Sequence, residues 1–168
     1  MQKAILTILI SFFSISSFAQ TDIDTVPPYL RSKTIPEFKI IQPSGKVFTQ
    51  KDIPAEKPVV IIYFSPDCGH CKIEAEEIVK SKDSLQQAIF IWVSYKDPKA
   101  IAVFYKITGL NKLPNQIIGR DPEYAVPSFY RVRFTPFVAV YDAKGKYLKA
   151  FEGGVEMPEL IQLVYKVK

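Results

Sequence analysis

The chain has 168 residues, 48% of them hydrophobic and 23% charged, with a formal net charge of +5 and two cysteines. This length fits one ordinary domain with short extensions, and the apolar content excludes an intrinsically disordered chain. The lysines and arginines are scattered and form no basic stripe interleaved with aromatic residues, so we expect no nucleic-acid partner.

The first 19 residues have the pattern of an export signal. Lys3 gives a positive start, 5–15 is apolar, and small residues occupy positions 17 and 19, which a signal peptidase inspects. We therefore predict a signal peptide at 1–19, cleaved before Gln20, and export to the periplasm or cell envelope. The apolar run is short for a membrane span, and an uncleaved membrane anchor is the alternative.

The segment 20–34 is polar and aperiodic and contains two consecutive prolines, which is typical of a flexible leader. The domain itself is expected to span 35–168 and to begin with an N-terminal β-hairpin. Its two short strands are predicted at 36–41 and 47–49, on either side of a Pro-Ser-Gly-Lys turn.

Apolar and amphipathic runs alternate along the rest of the chain. Apolar runs rich in β-branched residues indicate buried strands, and apolar residues at helical spacing indicate helices. On this basis Ile73 and Ile78 are expected on the buried side of the helix that follows the cysteines. The predicted strands are 59–64, 88–94, 115–119, 137–141 and 146–151. The predicted helices are 72–82, 97–109 and 123–130, followed by one that begins at Met157.

The order of these elements indicates how they assemble. Alternating strands and helices imply parallel pairing, and a final hairpin with its turn at 142–145 adds an antiparallel edge. An ambiguous stretch at 110–125 interrupts the alternation. The predicted fold class is α/β, with a central mixed β-sheet flanked by helices on both faces.

Both cysteines, Cys68 and Cys71, lie between the strand at 59–64 and the helix at 72–82, with the only histidine, His70, between them. A disulfide across Cys-x-x-Cys closes a very small loop, so it removes little entropy from the unfolded chain and stabilises the fold weakly. A redox role or metal binding therefore explains the pair better than a structural bridge.

Three motifs follow one another along the chain: Cys68-Gly69-His70-Cys71 after a buried strand, Thr135-Pro136 before another strand, and Asp142-Ala143-Lys144-Gly145 in a hairpin. Together they make the chain resemble an exported thioredoxin-like protein of the TlpA/ResA type, in the AhpC/TSA-redoxin branch of the thioredoxin superfamily. Glu74, three residues after the second cysteine, matches the exported type, whereas Ile62 stands where thioredoxin has a buried acid. Asp67 is a departure, because the family usually has tryptophan there.

The resemblance implies a thioredoxin fold and disulfide exchange with protein substrates, in the direction of reduction and without a cofactor. It also implies an upstream membrane thiol donor that reduces the Cys68–Cys71 disulfide again. In this fold the Thr135–Pro136 peptide bond is cis and packs beside the cysteines, which leaves the Thr135 backbone free to pair with a bound peptide.

The two cysteines are expected to have different tasks. Cys68 would lie at a helix N-terminus, where unpaired N–H groups and the helix dipole lower the pKa of a thiol, so it is the candidate nucleophile. Cys71, one turn in and more buried, would resolve the mixed disulfide. His70 and Asp67 are expected to tune the Cys68 thiolate in opposite directions, and their balance sets the direction of electron flow. A solvent-facing His70 with little effect is the alternative.

Glu74 is the candidate base that removes the proton from Cys71. The alternative is an ordinary exposed glutamate, which is the expectation for Glu76 and Glu77. Zinc needs about four ligands. Because no cysteine or histidine lies outside the motif, we expect no stable metal.

Two further functions remain as alternatives to disulfide exchange. Ser65-x-x-Cys68 is part of a peroxidase motif, although Ile61 stands where that motif has proline. A non-enzymatic binding module with an idle dithiol is the other alternative. Activity assays on cysteine variants distinguish a peroxidase and a binding module from a disulfide oxidoreductase.

Overall fold

The structure is a computed structural model that describes residues 26–165. The predicted signal peptide at 1–19, the start of the predicted leader and the last three residues, 166–168, lie outside the described residues. Within 26–165, no helix is long and apolar enough to cross a membrane.

Helices and strands alternate through the described part of the chain, and the predicted elements are present with ends shifted by a few residues. The helices are α1 (Pro28–Ser32), α2 (Gly69–Lys80), α3 (Lys82–Leu85), α4 (Pro98–Ile107), α5 (Ala125–Tyr130) and α6 (Met157–Tyr165). The strands are β1 (Lys39–Ile41), β2 (Val47–Thr49), β3 (Val59–Tyr63), β4 (Ile89–Ser94), β5 (Gln116–Arg120), β6 (Phe137–Tyr141) and β7 (Tyr147–Glu152). Short 3₁₀ turns, Gln50–Asp52 and Leu110–Lys112, follow β2 and α4.

These strands join one sheet in the order β2-β1-β5-β4-β3-β6-β7. β3, β4 and β5 are parallel, whereas β6 and β7 at one edge and β1 and β2 at the other are antiparallel to their neighbours. The predicted α/β fold with a central mixed sheet and an N-terminal hairpin is confirmed. β4 is parallel to β3 and β6 is antiparallel to it, and both strands flank β3. The loops after β3 and β4 and the segment before β6 therefore meet at the same end of the strands.

The central strands are buried on both faces, since alternate residues of a strand point to opposite sides of the sheet. In β3, Ile62 packs in a cluster with Trp92, and Ile61 packs in a second cluster with Tyr130. Cys71 is fully buried in the first cluster, which anchors the start of α2 on that face.

The structure differs from the expected flexible leader over 28–34. Pro28 opens α1, where its missing N–H costs no hydrogen bond. The ring of Tyr29 packs against the ring of Tyr130 with centroids 5.5 Å apart, and Thr34 forms a β-bridge to the residue before β7. These partners lie far along the chain, so the local sequence does not reveal them.

Candidate active site

The two cysteines lie where β3 ends and α2 begins. Cys68 is the N-cap residue of α2, and its sulfur accepts a hydrogen bond from the Cys71 backbone N–H at 3.4 Å. Cys68 is half-buried and Cys71 is fully buried, and both are free thiols. The structure therefore has one accessible thiol at a helix N-terminus and a second thiol behind it in the core.

The surroundings of Cys68 favour its thiolate. Partial burial raises the pKa of Cys68, but hydrogen bonds from the Cys71 thiol and N–H, the Thr135 side chain and the His70 N–H together lower it by more. The net pKa of Cys68 is below the usual value of a thiol. The positive end of the helix dipole acts in the same direction.

Cys71 has the opposite shift. Burial raises the pKa of Cys71 to about 12, and its hydrogen bond with Cys68 adds to this effect. At neutral pH Cys71 is therefore a thiol, and it needs a base before it can attack another sulfur.

The segment before β6 forms the opposite wall of the site. The Thr135–Pro136 peptide bond is cis, and the Cys68 thiol donates a hydrogen bond to the Thr135 carbonyl oxygen at 3.5 Å. The Pro136 carbonyl accepts a hydrogen bond from the Gly153 N–H at 2.9 Å, which ties this wall to the end of β7. The segment thus lies beside Cys68, at the position that the resemblance implies.

Glu74 is buried on α2, three residues after Cys71, with 5% of its surface exposed. Its Oε2 accepts a hydrogen bond from the Val155 N–H at 3.2 Å, while its Oε1 is buried and has no partner among the described residues. Burial raises the pKa of Glu74 to about 7, and the nearby charges of Glu77 and Glu156 act in the same direction. The carboxyl is therefore poised to gain or lose a proton near neutral pH.

The buried stripe of α2 corrects one expectation. It consists of Cys71, Glu74, Ala75 and Ile78, whereas Ile73 is 54% exposed. The stripe follows the helical spacing i, i+3, i+4, i+7, but a charged residue occupies a position where hydrophobicity would place an apolar one. The prediction that Ile73 is buried, which relied on apolar spacing alone, is therefore wrong. Helical spacing counted from the buried Cys71 would have placed Glu74 on the buried side.

Gly154 explains how the carboxyl of Glu74 fits between α2 and the end of β7. A Cβ atom at Gly154 would lie 2.7 Å from the Glu74 Oε2, and the residue has φ +113°, which L side chains rarely adopt. Only glycine meets both demands. The local sequence does not reveal this contact, because Glu74 and Gly154 lie far apart along the chain.

Asp67 and His70 are expected from the sequence to have opposite effects on the Cys68 thiolate, but their surroundings differ from that simple arrangement. The Asp67 Oδ2 lies 2.9 Å from the Nζ of Lys96, which follows β4, so its charge already has a partner. His70 is exposed, and its imidazole lines a crevice of about 340 Å³ with Glu74 and Glu77. Sequence reasoning missed Lys96, although parallel pairing of the strands before Asp67 and Lys96 brings the following loops together.

The comparisons with known proteins agree with this geometry. Residues 49–168 match the family described as thioredoxin-like domain. A segment of 56 residues is 36% identical to the thioredoxin of Mycoplasma genitalium, and it covers 33% of this chain and 55% of that thioredoxin. The chain thus spans about half the length of the curated relative that it matches.

Solved structures show the same fold. A secreted disulfide oxidoreductase of Mycobacterium tuberculosis is 21% identical, with a TM-score of 0.65 over 77% of this chain and 95% of that one. A peroxiredoxin-like protein of Aquifex aeolicus is 17% identical, with a TM-score of 0.65 over 81% of this chain and 86% of that one. At these identities the likeness establishes the fold. Since the family match covers most of the chain, the protein belongs to the thioredoxin-like domain family.

Proposed function

We propose that the protein is a thiol-disulfide oxidoreductase of the cell envelope that reduces disulfides in protein substrates through Cys68 and Cys71. The observation that carries the proposal is the contrast between two thiols one turn apart. Cys68 is accessible with a lowered pKa, and Cys71 is buried with a pKa raised to about 12. A nucleophile and a resolving thiol need this contrast, because the attacking group must be a thiolate that the substrate can reach.

The first step is attack of the Cys68 thiolate on one sulfur of the substrate disulfide. An S–S bond forms between Cys68 and the substrate, the substrate S–S bond breaks, and its second sulfur leaves as a thiolate and takes up a proton. Cys71 then loses its proton and attacks the Cys68 sulfur, which releases the first substrate sulfur. Two electrons have passed to the substrate, and Cys68 and Cys71 form a disulfide.

Glu74 is the base in the second step under this proposal. It lies one turn after Cys71 on the same buried stripe of α2. With a pKa raised to about 7, its carboxylate form is available at neutral pH and still has appreciable proton affinity. Because Oε1 has no hydrogen-bond partner within the described part of the chain, it can accept the proton without breaking the hydrogen bond from Val155.

The Thr135–Pro136 segment is the proposed docking edge for the substrate. The Cys68 thiol donates a hydrogen bond to the Thr135 carbonyl oxygen, so a substrate sulfur bound to Cys68 would lie against the same backbone. An extended substrate segment pairs there through main-chain hydrogen bonds, which suits many different sequences.

Export and a donor complete the proposal. The pattern of 1–19 supports export, and the secreted oxidoreductase of Mycobacterium tuberculosis shares the fold. In an oxidising compartment a reductase must be reduced again. We propose a membrane thiol carrier as that donor, which would pass two electrons to the Cys68–Cys71 disulfide.

Reduction of insulin disulfides tests the enzyme. We expect activity in the wild-type protein, loss of activity in Cys68→Ser, and a trapped mixed disulfide in Cys71→Ser. Activity that survives both changes contradicts dithiol exchange, and a complete lack of activity in the wild-type protein favours a binding module. Peroxide turnover that is lost in Cys68→Ser but retained in Cys71→Ser favours a peroxidase instead.

A further inference from the structure

Lys96 reaches from the neighbouring strand to the residue that precedes the nucleophile. β3 and β4 are parallel and in register, with Tyr63 opposite Val93, so the loops that follow them run side by side. The Lys96 Nζ lies 2.9 Å from the Asp67 Oδ2. Asp67 directly precedes Cys68 in the chain, so the ion pair is one residue away from the candidate nucleophile.

The lysine is held in place from several directions. Its backbone N–H donates a hydrogen bond to the Ser94 hydroxyl at 3.3 Å, and its Nζ lies 5.3 Å from the centroid of the Tyr95 ring. The Lys96 side chain is 33% exposed, against 73% for Asp67. Lys96 is thus the less exposed partner of the ion pair.

A second aromatic ring supports this arm. Tyr95 stacks on Tyr124 with ring centroids 5.6 Å apart and an interplanar angle of 28°. Tyr124 has φ +54°, which is uncommon for a bulky residue. Its loop is fixed because the Asp121 carboxylate accepts hydrogen bonds from the backbone N–H groups of Glu123 and Val126. Tyr95, the residue before Lys96, is therefore packed on a second aromatic ring from a loop held by hydrogen bonds.

We propose that Lys96 is a positioning residue of the redox site, which pairs with Asp67 so that the aspartate charge does not disfavour the Cys68 thiolate. The inference rests on the proposed function, because it concerns the same nucleophile. The pairing with Lys96 explains how a carboxylate can stand directly before Cys68 without opposing its thiolate. An unpaired Asp67 would repel the developing thiolate, make the dithiol less stable and thereby make the disulfide harder to reduce.

In the described part of the chain, no other ionisable group near Cys68 forms an ion pair with Asp67. His70, Cys71 and Glu74 lie on α2, and Glu74 is itself an acid. The wall before β6 offers Cys68 the neutral Thr135 carbonyl. Because the ion pair is partly exposed, water and salt screen it, so we expect a modest effect of about 0.5 in the pKa of Cys68.

The test is the pH dependence of Cys68 alkylation in the reduced full-length protein at low salt. We expect Lys96→Met to raise the pKa of Cys68 by about 0.5 and Asp67→Asn to lower it by a similar amount. The double variant should return close to the wild-type value, and Lys96→Arg should keep it. Lys112→Met is the matched control and should not change the pKa of Cys68. It removes an exposed cation that precedes β5, at the end of the parallel strands opposite to Cys68.

The outcomes separate this inference from the proposed function. A pKa of Cys68 that is the same in Lys96→Met, Lys112→Met and wild type overturns the role of Lys96 while leaving the nucleophile intact. Absence of any thiolate reactivity at Cys68 contradicts the proposed function itself. The differences should shrink in 1 M salt, and Lys96→Gln serves as a second neutral variant if the methionine variant folds poorly. A salt-independent shift would also contradict an electrostatic role.

Discussion

Glu74 and Asp67 are carboxylates on opposite sides of one redox motif, and their surroundings differ in almost every respect. Glu74 is 5% exposed and one of its oxygens has no partner among residues 26–165, whereas the Asp67 side chain is 73% exposed and pairs with Lys96. Burial raises the pKa of Glu74 to about 7, because its charged form loses contact with water. The protonation state of an acid near the cysteines therefore depends on its exposure to solvent and on its charged partners, and not on how many residues separate it from a cysteine.

The largest difference between the two acids should appear in the resolving step. Because Glu74→Gln removes the base, we expect Cys71 to release a substrate thiol from the Cys68 mixed disulfide about 100-fold more slowly. The measurement is rapid mixing with a preformed mixed disulfide of Cys68 and a chromogenic thiol. Glu77→Gln, one turn further along α2, is the control and should react at nearly the wild-type rate. Equal slowing in both variants would remove Glu74 from the mechanism.

The same contrast should appear in the pH dependence of stability. The folded pKa of Glu74 is about 7 against 4.5 for an unperturbed glutamate. The stability contributed by the protonated acid is therefore fully present below pH 4.5 and is lost as the pH rises through 7, in all about 3 kcal/mol.

Urea unfolding of the reduced protein at several pH values measures this loss. Glu74→Gln should flatten the decline between pH 4.5 and about pH 7, the window between the two pKa values, whereas Asp67→Asn should leave its slope unchanged. A decline that persists in Glu74→Gln would mean that another group carries it.

A smaller effect should follow from filling the space beside Glu74. Gly154→Ala would place a Cβ atom 2.7 Å from the Glu74 Oε2 at φ +113°, so we expect a loss of about 1–3 kcal/mol in the free energy of unfolding. Gly69→Ala is the matched control, because a Cβ there would meet no atom of the described residues within 4 Å. Glu74→Ala should recover part of the loss in Gly154→Ala, since the contact disappears while the backbone strain remains. Equal stability of the two glycine variants would contradict the close approach.

Much of the fold could be predicted because its signals are local. The buried strands β3, β4 and β6 are continuous apolar runs, and Asp97 with Pro98 marks the start of α4, where the Asp97 side chain accepts a hydrogen bond from the Lys99 N–H. Cys68 at the start of α2 follows from the strand, turn and helix around it. These elements depend on residues that lie next to one another in the sequence.

The rest depends on contacts between distant residues. The burial of Glu74 requires Val155 and Gly154, far along the chain, and the neutralisation of Asp67 requires Lys96 from the next parallel strand. The pattern of apolar residues pointed to Ile73, because an acid at a buried position breaks that pattern, and only helical spacing counted from Cys71 points to Glu74. The two cysteines and Glu74 could thus be named from the sequence, whereas the burial of Glu74 beside Gly154 and the pairing of Asp67 with Lys96 could not.

The most direct test of the central claim is the pH profile of alkylation of each cysteine in the reduced protein, resolved by mass spectrometry. We expect Cys68 to react first, with a midpoint below about 8.5, the value of a free thiol. Cys71 should remain unreactive until far higher pH, as its burial and raised pKa of about 12 require. Preferential alkylation of Cys71, or identical profiles for the two thiols, would contradict their assignment as nucleophile and resolving cysteine.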